Sequence, residues 1–406
     1  MPAEARVREF HGDSPAGRSD LVRHALERLH RERPFGLIAF AGVGGLGVRS
    51  IQAKRAGLAF LDVPLAVILD ANSQRPREAE QRWPANFAEV ETDYLERFAF
   101  EHADVQCVPD DELAAFVQRN HWHVRTDAVK KLATVGSRSS PPLADEKPLV
   151  TVAIAHYNLG AYLPDTLKTL AAQTYPNLEV IVIDDGSTDP QSVVAFEALR
   201  ATYPNWTFLR QENRGIGATR NRCLELANGE FFVPVDADNL TRPDMVTTFL
   251  TALRRNPGLS AMSCYFLAFD VDAPTLVPNH FLYALRPTGG PHALAGIRNV
   301  YGDANAIFRT AALRSVGGYE TDRGTSCEDW ECFVKLVHAG HKLGVVPDHL
   351  FYYRHRPGGF SRSTNWFTNH QRVLRQFAHA QNLSPAESLA VWTALLGFHQ
   401  DREKQT

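Results

Sequence analysis

The chain has 406 residues, of which 44% are hydrophobic and 22% charged, and its formal net charge is −3. These proportions are typical of globular proteins and exclude a wholly disordered, collagen-like or coiled-coil chain. No apolar run reaches the roughly 18 residues of a membrane span, and the basic residues are too dispersed for a nucleic-acid-binding face. The five scattered cysteines lack a Cys-x-x-Cys motif, which favours reduced thiols. We expect a cytoplasmic protein of two or three domains, either free or attached peripherally to the inner face of the membrane.

The first 134 residues are expected to form a small α/β domain. Apolar runs predict strands at 36–41 and 63–69, and helical spacing predicts helices at 48–56, 91–102 and 111–118. A glycine-rich run, Gly42-Val43-Gly44-Gly45-Leu46-Gly47, follows the first strand, and Asp70 ends the second. This arrangement is the outline of a dinucleotide-binding loop, so an NAD(P)-dependent enzyme is one alternative function.

A change of pattern marks the second domain. Residues 135–148 mix Gly, Ser, Pro and charge without apolar periodicity, which indicates a linker. Beyond it, strands are predicted at 149–155, 179–183, 206–210 and 231–235, alternating with helices at 162–173, 190–202 and 216–227. Continuous apolar strands separated by helices indicate a parallel sheet, whose ligands bind at the carboxyl ends of the strands.

Acidic residues follow two of these strands and precede a later helix. Asp184 and Asp185 end one strand, and the run Asp236-Ala237-Asp238 ends another. A carboxylate there can accept a hydrogen bond from a uracil ring, and two carboxylates one residue apart can hold Mg²⁺ or Mn²⁺. Glu328 and Asp329 precede an apolar helical stretch at 332–338, where a carboxylate can serve as a general base. Polar turns and helix capping are the structural alternatives for all three clusters.

The ordered set of motifs resembles the family 2 glycosyltransferases of the GT-A fold. The stretches that carry the resemblance are VTVAIAHYNLGAYLPDTLKTLAAQTYPNLEVIVIDDGSTD, ENRGIGATRNRCLELANGEFFVPVDADN and VGGYETDRGTSCEDWECFVKLVHAGH, within residues 149–360. The resemblance implies a mixed, mostly parallel α/β sheet with helices on both faces, preceded by a smaller Rossmann-like unit. It also implies an inverting, metal-dependent enzyme that transfers a sugar from a nucleoside-diphosphate sugar, with uridine favoured, to an acceptor hydroxyl in glycan or polysaccharide synthesis.

The resemblance also assigns roles to individual residues. Asp329 matches the catalytic base, and Glu328 is expected to orient the base or the acceptor. Mn²⁺ or Mg²⁺ is expected at Asp236 and Asp238, with His355 as a third ligand. The residues expected at the donor are Ala155, His156, Tyr157, Asn158, Asp185, Arg214, Gly217, Arg220, Asp236 and Ala237. Many relatives have proline where Ala155 stands, and guanosine or thymidine diphosphate sugars remain alternatives.

The segment at 34–130 resembles part of the N-terminal half of a GT-B glycosyltransferase. The donor-binding half of such an enzyme has no counterpart here, so this domain is expected to be non-catalytic.

A catalytically inactive protein that binds a sugar nucleotide or a glycan is a further alternative for the whole chain. Helices predicted at 365–380 and 385–398, within a C-terminal segment at 363–406, are expected to pack on the catalytic domain or on a partner subunit. Oligomerisation stays open.

Overall fold

A computed structural model describes residues 14–125, 145–271, 278, 280–356, 358–359, 363–380 and 388. Most of the predicted linker at 135–148, and the predicted helix at 385–398 except residue 388, lie outside these ranges. The chain divides into two compact units, one holding residues 14–125 and the other the described residues from 145 onward. Within the described ranges we find no helix with the length and hydropathy of a membrane span.

The N-terminal unit is a small α/β structure with a three-stranded sheet. Its strands β1 to β3 form a parallel sheet in the order β1-β2-β3. In chain order the elements are α1 Pro15–Glu32, β1 Ile38–Ala41, α2 Val48–Ala56, β2 Leu65–Ile68, α3 Gln74–Ala79, α4 Phe87–His102, β3 Val105–Cys107 and α5 Asp111–Arg119. Phe100, Phe116 and Trp122 are part of its hydrophobic core, and the Trp122 ring contacts the rings of both phenylalanines.

The second unit contains a nine-stranded mixed sheet and the helices that cover it. Its first half holds β4 Val150–His156, α6 Leu163–Ala171, β5 Leu178–Asp184, α7 Pro190–Thr202, β6 Thr207–Arg210, α8 Ile216–Leu226, β7 Phe231–Pro234 and β8 Leu240–Thr241. The second half holds α9 Met245–Arg255, β9 Ala261–Asp270, β10 Tyr283–Leu285, β11 Ile307–Arg309, α10 Thr310–Ser315, α11 Glu328–His338, β12 Leu343–His355 and α12 Trp366–His379.

The order of the strands explains where polar residues collect. The sheet runs β6-β5-β4-β7-β11-β9-β12-β8, with β10 paired to β9. Strands β4 to β7 pair in parallel, as do β9 and β12, whereas β11 pairs antiparallel with both β7 and β9. The α/β class with a mixed, mostly parallel sheet is therefore confirmed. Because β4, β5 and β7 are parallel neighbours, their carboxyl ends meet at one edge, which is where ligands bind in such sheets.

Candidate active site

Two adjoining cavities open at this edge of the sheet. Four residues line both of them: Ala155, Leu159, Ile216 and Arg356. The large cavity measures about 610 Å³, and Tyr157, Asn158, Asp185, Thr219, Arg323 and Ser363 are among its other lining residues. The acidic cavity measures about 180 Å³ and is lined by Asp236, Ala237, Asp238, Asp303, Glu328 and Asp329, with Arg220 and Arg354.

Asp185 lies in the wall of the large cavity and is held by the loop that leads into α8. Its Oδ1 accepts hydrogen bonds from the Arg214 amide at 2.9 Å and from the Gln211 Nε2 at 2.8 Å, and its Oδ2 accepts one from the Gly215 amide at 2.8 Å. A carboxylate has about four acceptor positions, so three donors leave one for a ligand. Arg214 contributes its main chain here, and its side chain points to solvent.

The turn after β4 combines a structural residue with an exposed ring. Asn158 has a positive φ of 52°, and its Oδ1 accepts hydrogen bonds from the amides of Thr188 and Asp189 at 2.9 Å. Asn158 therefore ties this turn to the start of α7. The neighbouring Tyr157 is 43% exposed on the cavity wall, so its ring face is available to a planar ligand.

The ring of His156 is packed in the protein interior and is not exposed to the large cavity. The side chain is fully buried and stacks on Phe196 of α7 with ring centroids 6.0 Å apart. Neither ring nitrogen has a hydrogen-bond partner among the described residues. Burial lowers the pKa of His156 to about 4, against a smaller opposing effect of the neighbouring Asp184 carboxylate.

Arg220 joins two carboxylates of the acidic cavity. Its Nη2 donates to Asp236 Oδ1 at 2.7 Å and its Nη1 donates to Glu328 Oε1 at 2.5 Å. The guanidinium also lies 5.4 Å from the ring centroid of Tyr319 and is buried. Sequence reasoning expected this arginine to meet a diphosphate. The structure instead commits both of its terminal nitrogens to carboxylates.

Asp236 also accepts a hydrogen bond from Asn305, which lies two residues before β11. Asn305 Nδ2 donates to Asp236 Oδ2 at 3.2 Å and to Asp303 Oδ1 at 2.5 Å. Burial, together with the nearby Asp236 charge, raises the pKa of Asp303 to about 7.

Asp238 faces the segment after β12. Arg356 Nε donates to Asp238 Oδ2 at 2.6 Å, and Arg354 Nε donates to the Asp238 carbonyl at 2.9 Å. Burial raises the pKa of the Asp238 carboxyl, although the Arg356 charge opposes this shift. Arg354 belongs to β12 and Arg356 lies one residue beyond its end, and both side chains reach Asp238.

His355 points the other way. Its ring packs edge-on against Tyr283 of β10, with ring centroids 5.9 Å apart. In the residues that the structure describes, no group of three His, Cys, Asp or Glu side chains is assembled for a metal ion. The geometry therefore does not bring the expected third ligand, His355, to Asp236 and Asp238.

The charge of the acidic cavity still suits a divalent cation. Among the described residues that line it are five carboxylates and three guanidinium groups. Hard oxygen ligands of this kind are what Mg²⁺ and Mn²⁺ prefer. Burial, together with the Asp236 charge, raises the pKa of Asp238, and a bound cation would act in the opposite direction. Asp236 and Asp238 thus fit a cation by chemistry, while Arg356 pairs with Asp238 in this structure.

Asp329 lies in the first turn of α11, at the mouth of the acidic cavity. Burial, together with the Glu328 and Asp303 carboxylates, raises the pKa of Asp329 well above its ordinary value. Its Oδ1 accepts a hydrogen bond from the Trp330 amide at 2.7 Å, which fixes the side chain against the helix start. A carboxylate in this environment has a high affinity for a proton.

Gly217 allows a close contact between α8 and Glu320 and is not among the residues that line either cavity. A Cβ at this position would lie 2.1 Å from the Glu320 carbonyl oxygen, so α8 can approach residue 320 only without a side chain.

Arg323 is a residue that sequence reasoning missed. It lines the large cavity and donates from Nη2 to Asn213 Oδ1 at 2.7 Å. Its irregular segment gave no periodic signal from which to predict it.

Comparison with known proteins gives a partial match. Residues 151–317 match the family model described as "Glycosyl transferase family 2". The glycosyltransferase GlyG of Streptococcus pneumoniae is 35% identical over 119 residues, which cover 29% of this chain and 39% of GlyG. The chondroitin synthase of Escherichia coli is 33% identical over 115 residues, which cover 28% of this chain and 17% of that enzyme. The chain thus spans less than half the length of either relative.

Solved structures are similar over a larger share of the chain. The mannosyltransferase PcManGT from Pyrobaculum calidifontis, in complex with GDP-Man and Mn²⁺, has a TM-score of 0.47 at 24% identity. This alignment covers 62% of the present chain and 70% of that one.

Proposed function

We propose that this chain transfers a sugar from a nucleoside-diphosphate sugar to an acceptor hydroxyl, with inversion at the anomeric carbon, in glycan or polysaccharide synthesis. The observation that carries the proposal is that the large cavity and the acidic cavity meet along Ala155, Leu159, Ile216 and Arg356. A nucleotide in the large cavity would extend its diphosphate and sugar toward Asp329. The match of residues 151–317 to a glycosyltransferase family supports the same reaction class.

The donor base is proposed to be uracil. Asp185 retains one acceptor position after its bonds to Gln211, Arg214 and Gly215, and the imide N–H of uracil can occupy it. The exposed Tyr157 ring offers a stacking surface, and aromatic stacking on a base contributes about 1–3 kcal/mol. Guanine and thymine also carry N–H donors, so the comparison of donors belongs to the test.

Asp236 and Asp238 are the proposed ligands of Mn²⁺ or Mg²⁺. A cation bound there would stabilise negative charge on the nucleoside diphosphate as it leaves. The chain itself supplies further positive charge, because Arg356 lines both cavities at the point where they meet.

Asp329 is the proposed base. Its carboxylate accepts the proton of the acceptor hydroxyl while that oxygen bonds to the anomeric carbon and the bond from this carbon to the diphosphate oxygen breaks. The raised pKa of Asp329 matches this task, because a base works best when its pKa approaches the working pH. Glu328 accepts a hydrogen bond from Arg220 at 2.5 Å and is proposed to orient the base or the acceptor.

The test compares wild type with Asp329→Asn. UDP-, GDP- and TDP-sugars are assayed for nucleoside-diphosphate release with Mn²⁺ or with EDTA, and the anomeric configuration of the product is read by NMR. We expect Asp329→Asn to bind the donor as wild type does and to lose turnover by about 10²- to 10⁴-fold. Normal turnover of this variant would refute the base assignment, and donor binding without any turnover by wild type would favour an inactive binding protein.

The glycine-rich loop of the N-terminal unit gives little support to the dinucleotide alternative. The buried Glu96 carboxylate accepts hydrogen bonds from the Gly44 amide, the Ser73 amide and the Ser73 hydroxyl, each at 2.7 Å. It therefore takes the position of an anion at this loop. A Cβ at Gly45 would lie 2.5 Å from Leu95 Cβ, so this glycine allows α4 to pack against the loop. These contacts support a non-catalytic role for the unit, which we propose is related to part of a GT-B glycosyltransferase.

A further inference from the structure

One irregular segment links the two cavities. Residues 320–327 are here called the strap. The segment begins at Glu320, whose carbonyl lies against Gly217 of α8, and ends at the residue before α11. Arg323 and Gly324 line the large cavity, and Ser326 and Cys327 line the acidic cavity. Asp329 follows in the first turn of α11, so the conformation of the strap determines where the proposed base lies.

The strap ends in a backbone conformation that needs external support. Cys327 has φ 69° and ψ 24°, in the left-handed region, which a residue with a side chain rarely adopts. Such a conformation costs on the order of 1–3 kcal/mol and persists only where the surrounding structure holds it in place. Residues 320–327 lie outside the helices and strands, although the Cys327 carbonyl accepts the first hydrogen bond of α11, from the Glu331 amide at 3.0 Å.

Helix α12 supplies the support through three side chains, those of Asn369, Arg372 and Arg375. Arg375 binds the Asp322 carboxylate of the strap, with Nη1 donating to Oδ1 at 2.9 Å. Arg372 Nη1 donates to the Thr325 carbonyl at 3.1 Å and to the Thr325 hydroxyl at 2.9 Å, and its Nη2 donates to the Glu320 carbonyl at 3.2 Å. Its Nε donates to Glu331 Oε2 of α11 at 2.9 Å, and both side chains are buried. Asn369 Oδ1 accepts a hydrogen bond from the Ser326 amide at 2.9 Å.

We propose that Arg372 and Asn369 are positioning residues that hold the strap, and with it Asp329, in the geometry required for transfer. This inference depends on the proposed glycosyl transfer and adds the element that sets the position of its base. One guanidinium binds both halves of the strap and the helix that carries Asp329. Loss of these bonds lets the base move, and a displacement of about 1 Å at a reacting group can cost about 100-fold in rate.

The decisive variant is Arg372→Lys. A lysine retains a positive charge opposite Glu331 but cannot donate in three directions from a planar group, so the strap carbonyls lose their partners. We expect kcat to fall on the order of tenfold to 100-fold, while the dissociation constant of the nucleoside diphosphate changes less than about threefold. Gln376→Ala is the control, because Gln376 donates to the same Glu331 at 3.0 Å and, within the described residues, makes no hydrogen bond to the strap. It should keep the wild-type kcat.

Other outcomes overturn the proposal. A wild-type kcat in Arg372→Lys would do so, and so would a parallel loss of kcat, nucleotide affinity and thermal midpoint, which indicates a purely structural contact. If Arg372→Lys fails to fold, Asn369→Ala decides by the same split between kcat and nucleotide affinity. Absence of transfer by wild type with every donor refutes the proposed function itself, whereas normal transfer by both wild type and variant refutes only the positioning role.

Discussion

At the residue scale, the guanidinium of Arg220 illustrates how strongly buried charge depends on its partners. It lies between Asp236 and Glu328, and its side chain is only 3% exposed. Removing one partner from a buried ion pair leaves uncompensated charge in a medium that solvates it poorly. Breaking such a pair costs about 3–5 kcal/mol.

Arg220→Met should therefore lower the free energy of unfolding by about 3–5 kcal/mol, measured by urea denaturation. Arg222→Met is the matched control two residues along α8. Arg222 pairs with Glu225 at 2.8 Å, but both side chains are more than half exposed, so its loss should cost at most about 1 kcal/mol. Equal effects of the two substitutions would show that the Arg220 pairs are well solvated.

The direction of single side chains was the hardest feature to predict. His355 was expected at a metal because the family resemblance implies a histidine ligand in this region. The structure extends β12 through His355, with Arg354 and Arg356 toward Asp238 and His355 toward Tyr283. Because no strand was predicted at residues 343–355, strand alternation could not be used to orient these side chains.

At the element scale, the contact between α8 and the strap depends on Gly217. Gly217→Ala should lower the free energy of unfolding by about 1–3 kcal/mol, because the new Cβ would meet a backbone carbonyl that cannot rotate away. Gly258→Ala introduces the same group where nothing lies within 4 Å and should change the stability by no more than about 0.5 kcal/mol. Thermal and urea denaturation of the two variants measure the difference. If Gly217→Ala is as stable as wild type, the strap is not packed against α8 in solution.

The strands with local apolar patterns were predicted to within two residues of their observed ends. The helix α1 was missed although Ser14 and Pro15 form a capped start, because its sequence is mostly polar and its apolar stripe is narrow. Strands β9 to β12 were not predicted. Their pairing joins residues distant in the chain, and β12 contains two register shifts that break its alternation. Such pairings depend on tertiary packing, which a local pattern does not contain.

At the scale of the whole molecule, buried titratable groups tie stability to pH in opposing directions. His156 has a folded-state pKa of about 4, below the ordinary 6.5, so its unfolded form binds the proton first on acidification. Its contribution is therefore complete above pH 6.5 and is lost as the pH falls from 6.5 to 4. Buried carboxyls with raised pKa values, such as Asp303, act in the opposite sense. Comparing wild type with a variant that lacks one titratable group isolates the contribution of that group to the pH dependence of stability.

His156→Phe should remove the part of the loss of unfolding free energy between pH 6.5 and pH 4 that is due to this histidine. The free energy of unfolding of wild type minus that of the variant is expected to fall by about 3 kcal/mol between pH 6.5 and pH 4, at 1.36 kcal/mol per unit of pKa shift. Urea denaturation across this range measures it. His24→Phe, with a side chain 61% exposed, is the control and should show a flat difference. A flat difference for His156→Phe as well would mean that water reaches this ring in the folded protein.

The shared guanidinium of Arg220 also has a consequence for how ligands influence each other. One arm contacts Asp236, on the proposed donor side, and the other contacts Glu328, beside the proposed base. A ligand that draws Asp236 away from this arginine strengthens its hold on Glu328, and the reverse is equally true. Thermodynamic reciprocity then requires that a donor changing acceptor affinity by some factor has its own affinity changed by the acceptor by that same factor. Calorimetric titration of each substrate in the presence of the other would measure this coupling from both ends.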